Sequence, residues 1–448
     1  MHIFDRIFRH APHQEKIKDE ALIKSTYKYW RLRIFYSMYI GYAFFYFTRK
    51  SFTFAMPAMM VELGFTKAEL GILSSVLYIT YGLSKFVSGV MSDRSNPRYF
   101  MAFGLILTGI FNIFFGLSSS ILCFALFWGL NGWFQGWGWP PCARLLTHWY
   151  AQEERGTWWG IWNTCHNVGG SLIPLLVAII AQTLGWRVSM AVPGVLCIIV
   201  GLFLINRLRD TPESLGLPPI EKYRNGESVV LDVRKEGPLS QKEMLWDYVL
   251  RNKYIWILGC AYFFVYIIRV AINDWGQLFL YEQKQFTIIQ AGICIFCFEL
   301  GGFFGNLTAG WLSDKVFTGK RGPVNVLFSA LVIVTLLGLW RTPGAQIVLA
   351  GSLMFCIGFF IFGPQMLIGI AATELSHKKA AGTATGFIGC FSYLGAAVAG
   401  FPFGKILQDF GWELFFVVLV GCATLAVLFL LPLMGDKRKE MQHLNATR

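Results

Sequence analysis

The sequence predicts an all-α membrane protein whose twelve transmembrane helices form two pseudo-symmetric six-helix bundles. Three observations predict this class. Of the 448 residues, 55% are hydrophobic and only 15% are charged, whereas soluble chains carry about 25% charged residues. Apolar runs long enough to cross a bilayer recur along the chain, six on either side of a polar segment at 207–253. Short motifs of the first half return in the second half at a nearly constant spacing.

The predicted segments follow from these apolar runs and the polar stretches between them. We expect spans at 34–57, 69–91, 99–118, 121–146, 156–182, 187–206, 255–281, 289–312, 324–340, 345–373, 381–404 and 413–434. The corresponding domains are an N-terminal cytoplasmic segment (1–33), a first bundle (34–206), a cytoplasmic linker (207–254), a second bundle (255–434) and a cytoplasmic tail (435–448). The first 28 residues are polar and charged, so no signal peptide is expected.

The distribution of positive charge predicts the orientation of the chain. The net charge is +13. If the loops between the predicted spans are numbered in chain order, 30 of the 39 Lys and Arg residues lie at the two ends of the chain or in even-numbered loops, which include the central linker. The odd-numbered loops hold only five. Because cytoplasmic loops of membrane proteins are enriched in Lys and Arg, both termini and the linker should be cytoplasmic. A nucleic-acid partner is not expected, since a binding patch would cluster these charges on one soluble face.

Each half contains two tyrosines and one arginine at helical spacing within a membrane-length apolar run. The motif comprises Tyr42, Tyr46 and Arg49 in the first half and, 220 positions later, Tyr262, Tyr266 and Arg269 in the second. Steps of four and three residues place each set on one helix face. A charged side chain at membrane depth is costly and indicates a substrate or ion path. The repeated arginines therefore predict a central anion site built from both halves, although Asp274 or Glu299 could instead pair with Arg269.

A second repeat follows the second span of each half, at its predicted cytoplasmic end. The sequence Gly-x-x-Ser-Asp, followed by a basic residue, begins at Gly89 and again at Gly310. The charged residues of the two loops are Asp93 and Arg94, and Asp314 and Lys315. Such charges can bridge neighbouring helices in one conformation and separate in another, so we expect a gating role; a solvated turn is the alternative. A third repeat ends in the pairs Gly185-Trp186 and Gly411-Trp412.

Enzyme and cofactor chemistry find no support in the sequence. Cys294 and Cys297 form a lone C-x-x-C inside an apolar helix, where packing is the better interpretation than metal or redox chemistry. The chain has no nucleophile constellation and no G-x-x-x-x-G-K-[S/T] loop for ATP. We therefore expect no enzymatic activity, no metal and no cofactor, with opposing solute gradients as the energy source.

Six longer segments carry a family resemblance. They are FTRKSFTFAMP, SKFVSGVMSDRSNPR, FQGWGWPPCARLLTHWY, WNTCHNVGGSLIP, IRVAINDWG and FGPQMLIGIAA. With the six-plus-six layout, they resemble the organophosphate:phosphate antiporters of the major facilitator superfamily. The resemblance is greatest to the bacterial hexose-phosphate sensor-transporters, in RLRDTPESLGLP, AINDWG, FELGGFFG and GPQMLIGIAA. It implies the major facilitator fold, the bacterial inner membrane and exchange of a sugar phosphate for inorganic phosphate.

The candidate phosphate ligands are basic residues at membrane depth. Arg49 and Arg269 carry planar guanidinium groups that fit two phosphate oxygens, and the resemblance implies the same matched pair. Lys85 shares a helix face with Tyr81 and could be a third cation, a partner of a carboxylate, or a side chain extended toward the aqueous interface. The His166 imidazole and phosphate both change their charge near neutral pH, so His166 could bind the phosphoryl group. The alternative is a hydrogen-bonding role in the core.

The remaining candidates would contact the sugar or line the pore. They are Tyr42, Tyr46, Tyr81, Trp162, Asn163, Asn167, Tyr266, Asn273, Asp274 and Tyr393. Tyrosines at helical spacing are more often packing residues or part of an interfacial belt, and Asp274 could simply balance Arg269. Phe362 stands where the glycerol-3-phosphate branch of the family has a tyrosine, so the specificity of that branch does not transfer.

We expect exchange of a hexose phosphate, glucose 6-phosphate first among them, for inorganic phosphate by alternating access. Two other functions stay open. A membrane sensor would report external hexose phosphate to a histidine kinase, and would bind its ligand with little turnover. An ion channel fits less well, because an internal repeat around charges at membrane depth is typical of alternating access.

Overall fold

The structure, a computed structural model, describes residues 9–93, 95–225, 245–376 and 381–435. The secondary-structure elements formed by these residues are helices, which confirms the predicted all-α class. Ten helical stretches in the described ranges are long and apolar enough to cross a membrane. They correspond to the predicted spans other than the first and the fourth.

The helices of the first half and the linker are described in chain order. They are α1 (Glu20–Leu63), α2 (Lys67–Asp93), α3 (Pro97–Leu117), α4 (Ile121–Gln135), α5 (Trp139–Trp149), α6 (Gln152–Asn163), α7 (Cys165–Leu184), α8 (Trp186–Arg207) and α9 (Ile220–Asn225). A 3-10 turn at Pro212–Leu215 lies between α8 and α9. A π-helix at Trp246–Leu250 precedes the second half.

The second half follows the same order of long helices. They are α10 (Lys253–Lys284), α11 (Ile288–Trp311), α12 (Arg321–Arg341), α13 (Ile347–Glu374), α14 (Ala381–Val398), α15 (Phe401–Asp409) and α16 (Gly411–Leu430). A π-helix at Leu312–Val316 extends α11, and a 3-10 turn at Leu431–Leu433 extends α16.

Two predicted spans have no matching long apolar helix in the structure, each for a different reason. Helix α1 is continuous over 44 residues and contains the first span, but Arg49 and Lys50 interrupt its apolar character. The fourth span is divided at 136–138 into α4 and α5. The fifteen residues of α4 extend only about 22 Å, less than the roughly 30 Å of hydrocarbon in a bilayer. The break places Gln135 at the end of α4, which matters for the site described below.

Several helix starts carry the side chains that a helix N-terminus requires. Asn96 accepts a hydrogen bond from the backbone N–H of Arg98 at 3.1 Å, and Asn252 accepts one from Tyr254 at 3.0 Å. Thr287 begins α11 with a capping box that it shares with Gln290. These side chains satisfy N–H groups that have no partner within the helix, so they fix where α3, α10 and α11 begin.

The chain divides into two compact units. Unit 1 comprises Met1–Ser51, Thr80–Ile173 and Arg187–Pro238, and unit 2 comprises Phe52–Ile79, Pro174–Trp186 and Leu239–Arg448. Unit 1 thus holds most of the first predicted bundle. Unit 2 holds the second predicted bundle together with residues 52–79 and 174–186 of the first half.

Matching close contacts occur within the two units and reflect the sequence repeat. A Cβ atom added at Gly169 would lie 2.4 Å from the carbonyl oxygen of Ala43, which brings α7 against α1 in unit 1. A Cβ added at Gly395 would lie 2.3 Å from the carbonyl oxygen of Phe263, which brings α14 against α10 in unit 2. Both contacts exclude any larger residue. They bring the candidate residues of α7 and α14 close to the tyrosine faces of α1 and α10.

Candidate functional site

The Arg49 guanidinium lies between an amide and two aromatic rings in unit 1. Its Nη2 and Nε atoms donate hydrogen bonds to Oε1 of Gln135, at 3.0 and 3.3 Å. Its Cζ atom lies 4.4 Å from the ring centroid of Tyr46 and 4.5 Å from that of Tyr81. Contacts of this length stabilise the cation through the ring electrons. The predicted association of Arg49 with Tyr46 is therefore present in the structure, and the contact with Tyr81 adds to it.

A chain of buried amides fixes the position of Gln135. Its Nε2 donates to the Phe45 carbonyl at 3.0 Å, to Thr48 Oγ1 at 2.9 Å and to Asn131 Oδ1 at 3.2 Å. Asn131 in turn donates to Oδ1 of Asn112 at 3.3 Å, and Asn112 donates to the Met190 carbonyl at 2.6 Å.

This amide chain was not anticipated from the sequence. Gln135, Asn131 and Asn112 are buried, where each polar atom needs a partner to offset the cost of leaving water. The signal that could have revealed the chain is the pair Asn131 and Gln135, two amides one helical turn apart inside an apolar run.

The predicted aromatic and imidazole residues of α6 and α7 lie beside the tyrosines of α1. The Trp162 ring is 5.0 Å from that of Tyr42, and the His166 ring is 6.0 Å from that of Tyr46, between ring centroids. Tyr42 and Tyr46 are themselves 6.0 Å apart. The helix break at Thr164 separates α6 from α7, so Trp162 lies in the last turn of one helix and His166 in the first turn of the next. Unit 1 thus brings four predicted residues together.

Three other predicted residues of unit 1 have distinct positions. The Lys85 Nζ atom lies 5.2 Å from the ring centroid of Trp139, a cation–π contact that the sequence did not suggest. Asn167 is buried on α7, one residue after His166. Asn163 is partly buried at the end of α6.

Arg269 has a different environment in unit 2. Its Cζ atom lies 4.6 Å from the ring centroid of Phe362 and 5.7 Å from that of Tyr266. The Tyr266 ring lies 4.8 Å from that of Tyr262 and 6.2 Å from that of Tyr393. The second unit therefore also gathers its predicted arginine and tyrosines. The ring of Phe362 can stack on the cation but has no hydroxyl to bond a ligand.

Asp274 accepts hydrogen bonds from three side chains of unit 2. The donors are Ser74 Oγ and Tyr78 OH, both at 3.1 Å, and Asn273 Nδ2 at 3.2 Å. Asp274 and Asn273 are buried. Side chains of α2 and α10 therefore hold the Asp274 carboxyl group in place, about one turn beyond Arg269.

A repeated tryptophan–glutamate hydrogen bond lies within unit 2. Trp186 Nε1 donates to Glu62 Oε2 at 2.7 Å, and Trp412 Nε1 donates to Glu282 Oε2 at 2.9 Å. The sequence identified the Gly-Trp repeat but not its partners. The two glutamates are themselves 220 positions apart, the same spacing as the two arginines, and this spacing was the signal that could have revealed them.

Lys67 joins the second of these pairs. Its Nζ atom lies 2.6 Å from Glu282 Oε2 and 5.4 Å from the ring centroid of Trp412. Lys67 is the first residue of α2, whereas Glu282 ends α10 and Trp412 begins α16. The three residues therefore connect the start of α2 to two helices of the second half within the same unit.

The predicted gating residues are described in only one of the two loops. The Asp314 carboxylate pairs with Arg321, whose Nη2 atom also lies 2.9 Å from Glu374 Oε1. The partner of Asp314 is thus a residue at the start of α12, and Lys315 is exposed. Arg94 and the side chain of Asp93 lie outside the described residues.

Known proteins match this chain over nearly all of its length. The sequence model described as the Major Facilitator Superfamily matches residues 38–400. A protein of Chlamydia trachomatis serovar D named "Probable hexose phosphate transport protein" is 59% identical over 442 residues, which cover 96% of this chain and 97% of the relative. The "Membrane sensor protein UhpC" of Escherichia coli K12 is 50% identical over 417 residues, which cover 93% of this chain and 95% of the relative.

A solved structure supports the same architecture. A bacterial homologue of the human lysosomal transporter Spinster, in an inward-facing and unoccupied conformation, superposes with a TM-score of 0.72. The match covers 92% of this chain and 97% of that chain at 16% sequence identity. At this identity the similarity shows the fold and not the ligand. The two proteins therefore share a helical fold.

Proposed function

Since the chain belongs to the Major Facilitator Superfamily, we propose that it is a secondary active antiporter that exchanges a hexose phosphate for inorganic phosphate. The observation that carries this proposal is the repeated face of two tyrosines and one arginine, Arg49 in unit 1 and Arg269 in unit 2. The name of the Chlamydia relative, a probable hexose phosphate transport protein at 59% identity, supports the substrate class.

In this proposal Arg49 and Arg269 bind the same phosphoryl group. Each guanidinium is permanently charged and presents parallel N–H donors, which suit a phosphate dianion better than a single ammonium point charge. Gln135 binds Nε and Nη2 of the Arg49 guanidinium and so fixes the orientation in which the group would meet a ligand. Lys85 and His166 are proposed as additional phosphate ligands.

The rest of the predicted site would contact the sugar. Trp162, Tyr42 and Tyr46 form a cluster of aromatic rings in unit 1 that offers flat apolar surfaces together with hydroxyl and indole donors, the combination that suits a sugar ring. In unit 2, Tyr266 and Tyr393 offer hydroxyls. The remaining proposed contacts are Tyr81, Asn163, Asn167, Asn273 and Asp274.

Alternating access would connect this site to each side of the membrane in turn. Bound phosphate would add negative charge beside two permanent positive charges and offset part of their desolvation cost. Binding would therefore lower the barrier to reorientation, as an exchanger requires. We propose that Asp93, Arg94, Asp314 and Lys315 contribute to the cytoplasmic gate, together with Arg321 and Glu374, which the structure adds to the second loop.

We place the protein in the bacterial inner membrane with both termini in the cytoplasm. The excess of Lys and Arg at the two ends and in the central linker supports this orientation. The hexose phosphate would then enter from outside in exchange for phosphate that leaves the cytoplasm.

Counterflow in proteoliposomes tests the proposed function. Purified protein would be reconstituted in vesicles loaded with unlabelled phosphate, and uptake of labelled phosphate and of labelled glucose 6-phosphate would be measured. We expect uptake of both labels that depends on the internal anion. Uptake of neither label, or uptake that ignores the internal anion, would contradict exchange.

A membrane sensor is the second candidate, favoured by the 50% identity to the Membrane sensor protein UhpC. In that case the same site would bind external hexose phosphate and signal to a histidine kinase. Binding of glucose 6-phosphate by the purified protein, combined with turnover near the background of empty vesicles, would favour the sensor over the antiporter.

A further inference from the structure

Three arginines converge at the C-terminal end of α8 in unit 1. Arg33 Nη2 donates to the backbone oxygen and the side-chain oxygen of Asn206, at 3.2 and 3.1 Å. Arg209 Nη1 donates to the carbonyls of Asn206 and Leu208, at 3.1 and 2.7 Å. The Arg98 Nε atom donates to the Ile205 carbonyl. The three side chains come from α1, α3 and the segment after α8, and we name them the arginine cluster.

The arginine cluster carries more positive charge than the partial negative charge of the helix C-terminus can balance. A helix C-terminus carries about half a negative charge, whereas the cluster carries three full positive charges. Among the residues that the structure describes, no carboxylate lies within ion-pair distance of Arg33, Arg98 or Arg209. Burial, followed by repulsion from Arg98 and Arg33, lowers the pKa of Arg209 below its ordinary value. The cluster therefore has excess charge that a further anion would neutralise.

Donor atoms for such an anion are present. Within the described part of the chain, the two terminal nitrogens of Arg98 and the Nη2 atom of Arg209 make no hydrogen bond, and none of these atoms is completely buried. The Arg33 and Arg209 Cζ atoms each lie 4.7 Å from the ring centroid of Trp30. Trp30 thus orders two of the three guanidinium groups and contributes an indole of the kind found at membrane interfaces.

An exposed apolar surface continues from the cluster along the same helices. On α8, Leu202 is 58% exposed and Ile199 is 56% exposed, and on α1 Leu32 is 62% exposed. In a membrane protein such side chains contact acyl chains. An anion that carries acyl chains can bind the cluster and this surface together, whereas a soluble phosphate can bind the cluster alone.

We propose that the arginine cluster binds the phosphate of an anionic phospholipid, with an acyl chain along Leu202 and Ile199. Basic pockets between transmembrane helices at the cytoplasmic side bind anionic headgroups in this way. Our proposed orientation places the cluster in the cytoplasmic leaflet. Binding of this lipid does not depend on the exchange activity, so a failure of one proposal leaves the other intact.

Native mass spectrometry of the full-length protein in detergent tests the proposal. Phosphatidylglycerol would be titrated against phosphatidylcholine with the same acyl chains, for the wild type and for Arg33→Gln, Arg98→Gln and Arg209→Gln. We expect phosphatidylglycerol to bind more tightly than phosphatidylcholine, with a loss of about fivefold for each arginine removed. Lysine variants at the same positions should retain most of the affinity because they keep the charge.

The matched control is Arg341→Gln, at the end of α12. The Arg341 Cζ atom lies 4.8 Å from the ring of Trp340, so this variant also removes one arginine stacked on a tryptophan. Its phosphatidylglycerol affinity should equal that of the wild type. Wild-type affinity in Arg98→Gln and Arg209→Gln, each with an unchanged thermal unfolding midpoint, would overturn the proposal. Displacement of the lipid by millimolar inorganic phosphate would also overturn it and assign the cluster to a soluble anion.

Discussion

Gln135 holds the Arg49 guanidinium through two hydrogen bonds to a single oxygen, at 3.0 and 3.3 Å. Because Gln135 is itself fixed by Phe45, Thr48 and Asn131, its oxygen points toward Arg49 and its nitrogen toward the backbone of α1. The amide chain therefore orients Arg49 before a ligand arrives. Such preorganisation lowers the entropy cost of binding.

Replacement of Gln135 by leucine should weaken exchange although Arg49 remains. The variant loses hydrogen bonds to a charged group, each of which contributes about 1.5–3 kcal/mol, so we expect the apparent affinity for phosphate to fall about tenfold or more. Counterflow in proteoliposomes measures the change. The control is Gln277→Leu on α10, which replaces another buried glutamine and should leave exchange intact. Equal effects of the two variants would show that Gln135 has no special relation to Arg49.

Replacement of His166 by alanine should weaken binding of the phosphorylated substrate. His166 is buried beside Tyr46, at 6.0 Å between ring centroids, and the variant removes a nitrogen donor from the aromatic cluster without touching Arg49. Substrate-dependent tryptophan fluorescence of the purified protein, which contains Trp162 nearby, reports the affinity. His148→Ala, in α5, is the control with wild-type affinity. Unchanged affinity in His166→Ala would instead assign this residue a hydrogen-bonding role in the core.

Lys67 and Glu282 should show a measurable coupling energy. The ion pair is partly buried, with a separation of 2.6 Å, so we expect a double-mutant cycle of Lys67→Met and Glu282→Gln to give about 1 kcal/mol. Glutamine at 282 keeps a side-chain oxygen that can accept the hydrogen bond from Trp412. The cycle therefore measures the contribution of the Lys67–Glu282 ion pair and not that of this hydrogen bond. Unfolding in mixed micelles provides the four free energies. Effects that add within about 0.3 kcal/mol would show that the pair is not coupled.

Unit 1 should lose stability at acidic pH, in part because Glu154 becomes protonated. Burial raises the pKa of this carboxyl, but the hydrogen bond and charge of Arg31, with a smaller effect of Arg224, hold it below its ordinary value of 4.5. The Arg31 Nη2 and Glu154 Oε1 atoms are 2.6 Å apart. A lowered pKa means that the stabilisation is complete above about pH 4.5 and is lost as pH falls through the lower, folded-state value.

The thermal unfolding midpoint between pH 7 and pH 3 tests this dependence. Glu154→Gln should be less stable than the wild type at pH 7, and the difference should shrink as the pH falls below 4.5. The exposed residue Glu15 provides the control, because Glu15→Gln should change neither the midpoint nor its pH dependence. A constant difference between wild type and Glu154→Gln at every pH would contradict the electrostatic explanation.

The sequence predicted the parts of the site that depend on local spacing. Arg49 with Tyr46, and Arg269 with Tyr266, share helix faces because three and four residues make one turn, and both contacts are present. His166 and Trp162, which were predicted to bind the ligand, lie beside Tyr46 and Tyr42, and their role in binding stays a prediction. Helix periodicity and the internal repeat carried this information.

The partners missed by sequence reasoning come from distant segments. Gln135 reaches Arg49 because the fourth span breaks after α4. The prediction of one span at 121–146 rests on its apolar character, whereas Gly136, Gly138 and the pair Pro140-Pro141 were the signal for the break. Arg321 reaches Asp314 because the π-helix at 312–316 and the following turn bring the start of α12 back to the loop. Tertiary packing decides such pairs, and spacing along the chain does not reveal it.

The most direct test of the central claim is phosphate counterflow with Arg49→Lys and Arg269→Lys, each compared with Arg341→Lys as the matched control. Lysine keeps the charge but loses the planar pair of donors, so either substitution in the site should lower exchange about tenfold or more. The control should exchange at the wild-type rate. If both arginines bind one phosphoryl group, each single variant alone suffices to impair exchange. Near-normal exchange in either site variant, with protein folded as the wild type, would contradict a phosphate site shared by Arg49 and Arg269.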